Sequence, residues 1–153
     1  MEKIRGFEIA KGFEDKGINL PERKTKYSAG YDLEAAEDTI IPSFKKGMAP
    51  TLVKTGLKAY MQNNEYLMLA NRSSNPKKKG LILANSVGIV DKDYYGNPDN
   101  DGAIMFAFYN IKEEDVEIKK GEAIGQAIFM PYLVIDNDKA EGERKGGFGS
   151  TNK

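Results

Sequence analysis

Segment 88–97 (GIVDKDYYGN) places two carboxylates and two phenols between two glycines. Asp91 and Tyr94 could together hold one base against a flat ligand, because Gly88 and Gly96 let another backbone approach closely. Asp, Asn and Gly also favour tight turns, so the same residues are typical of a surface turn. Taken alone, the segment leaves both a catalytic pocket and a turn open.

The composition restricts which chemistry this segment can support. The chain has 153 residues with no Cys and no His, which excludes thiol and imidazole catalysis, disulfides and the zinc sites that use these ligands. Carboxylates, hydroxyls, amides, Arg and Lys remain, together with a hard cation such as Mg²⁺. Lys plus Arg and Asp plus Glu both number 23, so no net charge attracts nucleic acid or an anionic membrane. A polyanionic ligand must therefore be bound by local basic clusters.

The elements that must position these residues are predicted to form one all-β domain. The length fits a single domain, and short β-type runs alternate with turn signals, as in a sandwich or barrel. The first residues lack a signal-peptide core and no apolar run could span a bilayer, so we expect a cytoplasmic protein with no membrane partner. The predicted strands are 4–9, 39–42, 51–61, 66–71, 81–87, 103–110 and 123–132, with irregular or charged connections at 11–26 and 113–120.

One short helix is predicted, and it follows a basic and hydroxyl-bearing segment. Ser74 can cap its N-terminus, Pro76 suits its first turn and Gly80 can end it. Arg72, Ser73 and Ser74 at such an N-terminus would form an anion site. A capped surface turn is an equally good interpretation of these residues.

Three further polar residues are candidates for a site. Asn85 precedes the Asp91 segment, and the strand that carries Asn85 is predicted to pair with that segment as a β-hairpin. Asp32 lies in the segment AGYDL, and Gln126 lies in an apolar strand. Plain structural roles are also open for them: a turn residue, a strand-end carboxylate and an outer-face polar residue, respectively.

Five segments, in this order, resemble the motifs of the trimeric dUTP pyrophosphatases (dUTPases), and together they span residues 29–151. The resemblance implies a small distorted β-barrel or jelly-roll-like fold with one short helix and a flexible C-terminal arm. It divides the chain into a β domain over 1–140 and a Gly-rich lid over 141–153, and it implies a homotrimer with shared sites. The segments are Ala29-Gly30-Tyr31-Asp32-Leu33, Arg72-Ser73-Ser74, Gly88 to Gly96, Gly121-Glu122-Ala123-Ile124-Gly125-Gln126 and Arg144 to Thr151.

The resemblance also implies a reaction, the hydrolysis of dUTP to dUMP and pyrophosphate. Asp91 would be the general base for a water that attacks the α-phosphorus, and Gln126 would help to hold that water. Asp32 would bind water molecules of a Mg²⁺ ion in its outer shell, and Tyr94 would lie under the deoxyribose. The other substrate-binding candidates are Arg72, Ser73 and Ser74 for phosphate, Asn85, Ile89, Val90 and Met105 on the uracil side, and Arg144, Phe148, Gly149, Ser150 and Thr151 in the lid.

The sequence departs from the dUTPase pattern at several positions. Ala123 replaces an Arg that usually lies three residues before the Gln, and Lys145 and Asn152 replace glycines. Segment 97–102 (NPDNDG) is an extra loop, which we expect to be a solvated turn because its acidic residues lack the terminal Glu of an EF-hand.

Two other functions fit parts of the same pattern. The dCTP deaminases share the fold and the Arg-Ser-Ser motif, but they need a carboxylate on the strand after the third motif. Segment 104–108 (IMFAF) offers none. The second alternative is an interaction or regulatory protein with the dUTPase fold, which would have no need for a water-activating set such as Asp91 and Gln126.

Phe148 is the large apolar residue of a Gly-rich, charged tail, so we expect it to act in the lid. Phe148→Ala should lower the turnover of dUTP and leave Tm nearly unchanged, because the tail offers no core for the ring to fill. Activity assays and thermal denaturation measure the two effects. A loss of about 3 kcal/mol or more in the free energy of unfolding, typical of an emptied aromatic site, would instead show that the ring is structural.

Overall fold

The computed structural model describes residues 2–146 of the chain, and most of the regular secondary structure in this part is β-strand, as predicted. Three short helices interrupt the strands: a 3₁₀-helix at Phe44–Lys46, a π-helix at Asn75–Lys79 and a 3₁₀-helix at Lys92–Tyr94. No helix in this part of the chain is long and apolar enough to cross a membrane. The strands are β1 (Gly6–Ile9), β2 (Tyr31–Glu34), β3 (Thr39–Ile41), β4 (Thr51–Lys54), β5 (Leu57–Tyr60), β6 (Glu65–Ala70), β7 (Leu81–Leu83), β8 (Gly88–Asp91), β9 (Met105–Asn110), β10 (Val116–Ile118) and β11 (Ala123–Pro131).

The strands pair antiparallel in four groups, as in a jelly-roll-like fold. The largest sheet has the order β2-β11-β6-β8 and the second has the order β4-β9-β7, with the pairs β1-β5 and β10-β3 beside them. The long strand β11 pairs with β2 at its beginning and with β6 over the rest of its length. Because both ladders include Gln126, this one residue lies opposite a residue of β2 and a residue of β6.

The core lies between the sheets and follows from the period-2 alternation of the strands. Leu67 and Leu69 of β6 point inward, and Phe106 and Phe108 of β9 are both buried. A Cβ atom at Gly125 would lie 2.2 Å from a ring carbon of Phe106. Glycine at this position is therefore what lets β11 pass directly over the ring.

The predicted hairpin between segment 81–87 and the Asp91 segment is wrong in its pairing. β7 forms hydrogen bonds with β9, whereas β8 forms them with β6, so the two strands belong to different sheets. Turn 84–87 connects them, with Ser86 at a positive φ of 58°. The alternation could not reveal this arrangement, because strands on either side of one core bury alternate residues in the same way.

Two predicted boundaries also differ. The predicted strand 51–61 divides into β4 and β5 around Thr55, a buried residue between them. The predicted connection 113–120 contains β10, which pairs with β3. The charged residues of this connection hide a short strand in which Val116 and Ile118 turn toward the protein.

Loop 97–102 is packed against the domain, so the prediction of a solvated turn is wrong. Asn97 is buried, and Asp101 forms an ion pair of 2.7 Å with Lys58 on β5. The backbone N–H of Lys11 donates a second bond to Asp101, at 2.9 Å. The hydrogen bond from Lys58 is the main cause that holds the pKa of Asp101 below its ordinary value, against the effect of burial. The loop is thereby anchored to β5.

Asp101→Asn should lower the free energy of unfolding near neutral pH by about 2 kcal/mol, the order of a hydrogen bond to a charged group. The pKa of Asp101 is lowered in the folded state, so its contribution is full above the unfolded-state pKa of about 3.9. This contribution is lost as the pH falls through the folded-state pKa. Urea denaturation at neutral pH and in acid should therefore show a difference from wild type that shrinks in acid.

Asp99→Asn is the matched control, because Asp99 lies in the same loop and is exposed. It should change the free energy of unfolding little at either pH. An effect of Asp101→Asn that persisted undiminished in acid would contradict the ion-pair assignment.

Candidate active site

The segment Arg72-Ser73-Ser74 follows the end of β6 and leads into the π-helix. An Nη atom of Arg72 donates to the Ala123 carbonyl on β11 at 3.2 Å. Gly80 ends the helix in the left-handed conformation, as predicted. The predicted side-chain cap by Ser74 is wrong, because Ser74 has helical backbone angles and forms no capping hydrogen bond. Its hydroxyl is therefore not used by the helix.

Two asparagine amides hold this segment in place, and neither role was predicted from the sequence. Asn75 is 1% exposed and donates bonds of 2.8 Å to the Asn71 side-chain oxygen and to the Ile124 carbonyl. The same Asn71 oxygen accepts the Arg72 backbone N–H at 2.9 Å, and the Asn71 amide nitrogen donates to the Leu81 carbonyl at 3.0 Å. These bonds join β6, the π-helix, β7 and β11. The available signal was an Asn on each side of Arg-Ser-Ser, which is equally typical of a turn.

Gln126 lies at the same end of the sheet. It is opposite Asp32 on β2 and Ala70 on β6, so the side chains of these three residues share one face. The Gln126 amide donates to the Asn71 carbonyl at 3.3 Å, directly before Arg72. The structure therefore brings together three predicted site residues: Asp32, Gln126 and Arg72.

Asp32 is the residue predicted to contact a hydrated Mg²⁺ ion. Within residues 2–146, no cluster of three or more acidic side chains could hold an ion by itself. Asp32 and Glu34 instead border an open pocket of about 460 Å³. Mg²⁺ commonly keeps several water ligands and is bound through one or two carboxylates plus substrate phosphates. This donor set fits an ion that arrives together with a phosphate ligand.

Asp91 lies at the exposed end of β8, with Ile89 on the same outer face. Arg144 donates from Nη2 to Asp91 at 2.5 Å and from Nε to Asp93 at 2.7 Å. The hydrogen bond to Asp93 is the main cause that raises the pKa of Arg144, and burial opposes it. Within one chain, a cation of the C-terminal arm thus covers the predicted base.

The remaining candidates on the uracil side surround β8. Tyr94 is 9% exposed and its ring packs into the core. Val90 also faces the core, so only its backbone could face a ligand, whereas Ile89 is exposed. Asn85 is exposed in the turn before β8, and Met105 begins β9 in a half-buried position.

The two groups of residues are far apart within one chain. Asp91 lies opposite Tyr66 of β6, whereas Gln126 lies opposite Ala70 of the same strand. Four residues along a strand span about 13 Å, and two strand spacings add about 10 Å across the sheet. The backbones of Asp91 and Gln126 are therefore about 16 Å apart, too far for both side chains to hold one water molecule.

The arm that carries Arg144 has no regular secondary structure over residues 141–146. The lid candidates Phe148, Gly149, Ser150 and Thr151 lie outside the residues that the structure describes. The roles expected for them stay predictions.

Comparison with known proteins identifies the family, because the dUTPase family model matches residues 16–152. The chain belongs to the dUTPase family. A deoxyuridine 5'-triphosphate nucleotidohydrolase of Lactococcus lactis is 54% identical over 151 residues, which cover 97% of this chain and 98% of the relative. A second nucleotidohydrolase of this name, from Psychrobacter cryohalolentis, is 33% identical over 92% of this chain and 90% of the relative.

Solved structures of dUTPases have the same fold. The dUTPase of Streptococcus mutans has 48% identity and a TM-score of 0.80, and the alignment covers 86% of this chain and 99% of that one. A mutant dUTPase of the S. aureus phage phi11, described with a structural Mg(II) ion, has a TM-score of 0.67 at 17% identity. This match covers 92% of this chain and 98% of the phage chain, and it supports the fold alone.

Asn75→Ala should lower the free energy of unfolding by about 2 kcal/mol or more, because it leaves a buried carbonyl without its donor and opens a cavity. It should also raise KM for dUTP, since Arg72 loses its support. Asn63→Ala, at an exposed Asn, is the control and should change neither quantity. Urea denaturation and steady-state kinetics measure the two effects, and unchanged stability would refute the bridging role of Asn75.

Proposed function

We propose that this chain hydrolyses dUTP to dUMP and pyrophosphate by attack of water at the α-phosphorus. The observation that carries the proposal is the nearly full-length family match, together with an exposed Asp91 at the end of β8, three residues before a buried Tyr94. The test is release of pyrophosphate, coupled to inorganic pyrophosphatase, with dUTP, dTTP, dCTP and UTP as substrates. Hydrolysis of dUTP well above the other three is expected, and hydrolysis of none of them would refute the proposal.

Asp91 would act as the general base. Its carboxylate would accept a proton from water while the water oxygen forms a bond to the α-phosphorus. The bond between the α-phosphorus and the bridging oxygen would break, so that pyrophosphate leaves. Gln126 would orient the water, and Arg72 with the Ser73 and Ser74 hydroxyls would stabilise the charge that develops on the phosphates.

Asp32 would contribute through the metal. Mg²⁺ bound with the triphosphate would supply positive charge to the leaving pyrophosphate. Asp32 would accept hydrogen bonds from water ligands of that ion, which its position beside Gln126 and at the edge of an open pocket supports.

Recognition of the nucleoside would lie around the turn before β8. Asn85 and the backbone of residues 89–90 would bind the uracil edge, with Met105 nearby. A 5-methyl group of thymine would collide with such a pocket, and the amino group of cytosine would meet a donor. Tyr94 would lie under the deoxyribose, where a ribose 2′-hydroxyl would clash.

We further propose a homotrimer in which one site takes residues from more than one chain. The separation of about 16 Å between Asp91 and Gln126 supports this, because residues of two chains could meet at one nucleotide. The outer face of β8-β6-β11 also carries apolar side chains that a subunit contact would cover. These are Ile89, Met68, Ile128 and Met130.

The alternatives are not favoured. β9 carries no carboxylate from Met105 to Asn110, which argues against a dCTP deaminase. A protein that only binds a partner would not need the combination of Asp91, Gln126 and Arg72, which argues against the second alternative. The cytoplasmic location and the division into a domain over 1–140 and a lid over 141–153 stay predictions.

Asp91→Asn should keep dUTP binding within about tenfold of wild type and lower kcat by about 100-fold or more, as expected for the loss of a general base. Steady-state kinetics and binding of a non-hydrolysable α,β-imido dUTP analogue measure the two effects. Asp99→Asn, an exposed carboxylate elsewhere, is the control and should have wild-type kcat. Near-normal turnover of Asp91→Asn would rule out its assignment as base.

The shared site can be tested by complementation between two inactive variants. Asp91→Asn and a truncation ending at Glu143 should regain a minority of wild-type activity when they are unfolded together and refolded as mixed trimers. Some sites would then receive an intact Asp91 and an intact arm from different chains. The recovery should depend on the mixing ratio as random assortment requires.

Each variant refolded alone should stay inactive. Arg144 contacts Asp91 of its own chain in this structure. The alternative to a shared site is therefore an arm that closes over the Asp91 of its own chain. Mixed trimers that form, by mass measurement, yet show no activity above the two parents would mean that the arm closes over the site of its own chain.

A further inference from the structure

Loop 97–102, the extra loop of this chain, contacts Tyr94 through a side chain. The Asn100 amide nitrogen lies 2.6 Å from the Tyr94 hydroxyl, and that hydroxyl donates to the Ala103 carbonyl at 3.2 Å. The first distance is short for a hydrogen bond of this kind, and the second is long. Asn100 is therefore the tighter of the two restraints on the end of the Tyr94 ring.

The orientation of the Asn100 amide follows from its other contact. The Asn100 side-chain oxygen lies 3.0 Å from the backbone nitrogen of Gly102, which can only donate. The oxygen must face Gly102, so the amide nitrogen must face Tyr94. The Tyr94 hydroxyl consequently accepts from Asn100 and keeps its own proton for the Ala103 carbonyl.

Other contacts fix the position of loop 97–102, so Asn100 can restrain the Tyr94 hydroxyl. Asp101 is fixed by Lys58, and the backbone N–H of Asn97 donates to the Tyr94 carbonyl at 3.1 Å. A Cβ atom at Gly102 would lie 2.3 Å from the Tyr94 carbonyl oxygen, and Gly102 has a φ of 82°. Glycine alone lets the loop return this closely over Tyr94.

We propose that Asn100 is a positioning residue that fixes the Tyr94 ring and thereby sets the discrimination between deoxyribose and ribose. This inference rests on the proposed function, in which Tyr94 lies under the sugar. A ring held at both its backbone and its hydroxyl leaves no space for a 2′-hydroxyl. Without the bond from Asn100, only the Ala103 carbonyl holds the hydroxyl end of the ring, so the ring can tilt within its packing and admit the ribonucleotide.

The measured quantity is the ratio of kcat/KM for dUTP to kcat/KM for UTP. Asn100→Ala should lower this ratio by about 3- to 10-fold, the factor that one neutral hydrogen bond is typically worth. The fall should come mainly from faster hydrolysis of UTP. Asn100→Leu keeps a side chain of similar shape but lacks the amide donor, so its ratio should also fall. Asp99→Ala, an exposed change in the same loop, should leave the ratio unchanged.

A double-mutant cycle separates positioning of Tyr94 from general loosening of the loop. Tyr94→Phe removes the hydroxyl, so adding Asn100→Ala to it should produce no further fall in the ratio. A further fall of the same size in the Tyr94→Phe background, or an unchanged ratio in both Asn100 variants, would overturn the inference. Wild-type protein that failed to hydrolyse dUTP would instead refute the proposed function, so the two failures are distinguishable.

Discussion

The buried amide of Asn75 is the contact on which the position of the proposed phosphate-binding residues depends. Its two hydrogen bonds, to Asn71 and to the Ile124 carbonyl, connect the end of β6 with β11 across the π-helix. Arg72 and Gln126 are both attached to Asn71, through its side-chain oxygen and its carbonyl. Both N–H groups of this buried amide donate hydrogen bonds. Breaking either bond is costly, because it leaves a buried polar group with no hydrogen-bond partner in the protein or in water. Three elements are therefore fixed relative to one another by one side chain.

The sequence predicted the strands and the residues with distinctive chemistry better than it predicted their supports. Asp32, Arg72 and Gln126 were singled out from their types and motifs, and the structure brings them together. Asn71, Asn75 and Asn100 were missed, because an Asn in a turn-like segment has the same appearance whether it is exposed or buried. Burial is decided by long-range pairing, which the local pattern does not contain.

Pairing explains the other differences as well. β7 and β8 are consecutive and carry the alternation of a hairpin, yet each finds its partner in a different sheet. This arrangement turns Asp91 and Ile89 to the outer face of the larger sheet, at the far end from Gln126. A single chain thus carries two separate groups of predicted site residues on one sheet surface. The distance between the groups is set by the positions on β6 that pair with Asp91 and Gln126.

The contacts that hold these two groups of residues differ in their response to ionic strength. The Asn75 side chain is buried and its contacts join neutral groups, which mobile ions do not screen. Arg144 instead forms ion pairs with Asp91 and Asp93. The side chains of these two residues are 51% and 57% exposed, so dissolved ions can screen the pairs. At physiological ionic strength charges in solvent are screened over about 8 Å, and over less as salt rises. Added salt therefore loosens the C-terminal arm from the end of β8 and leaves the π-helix and β11 joined.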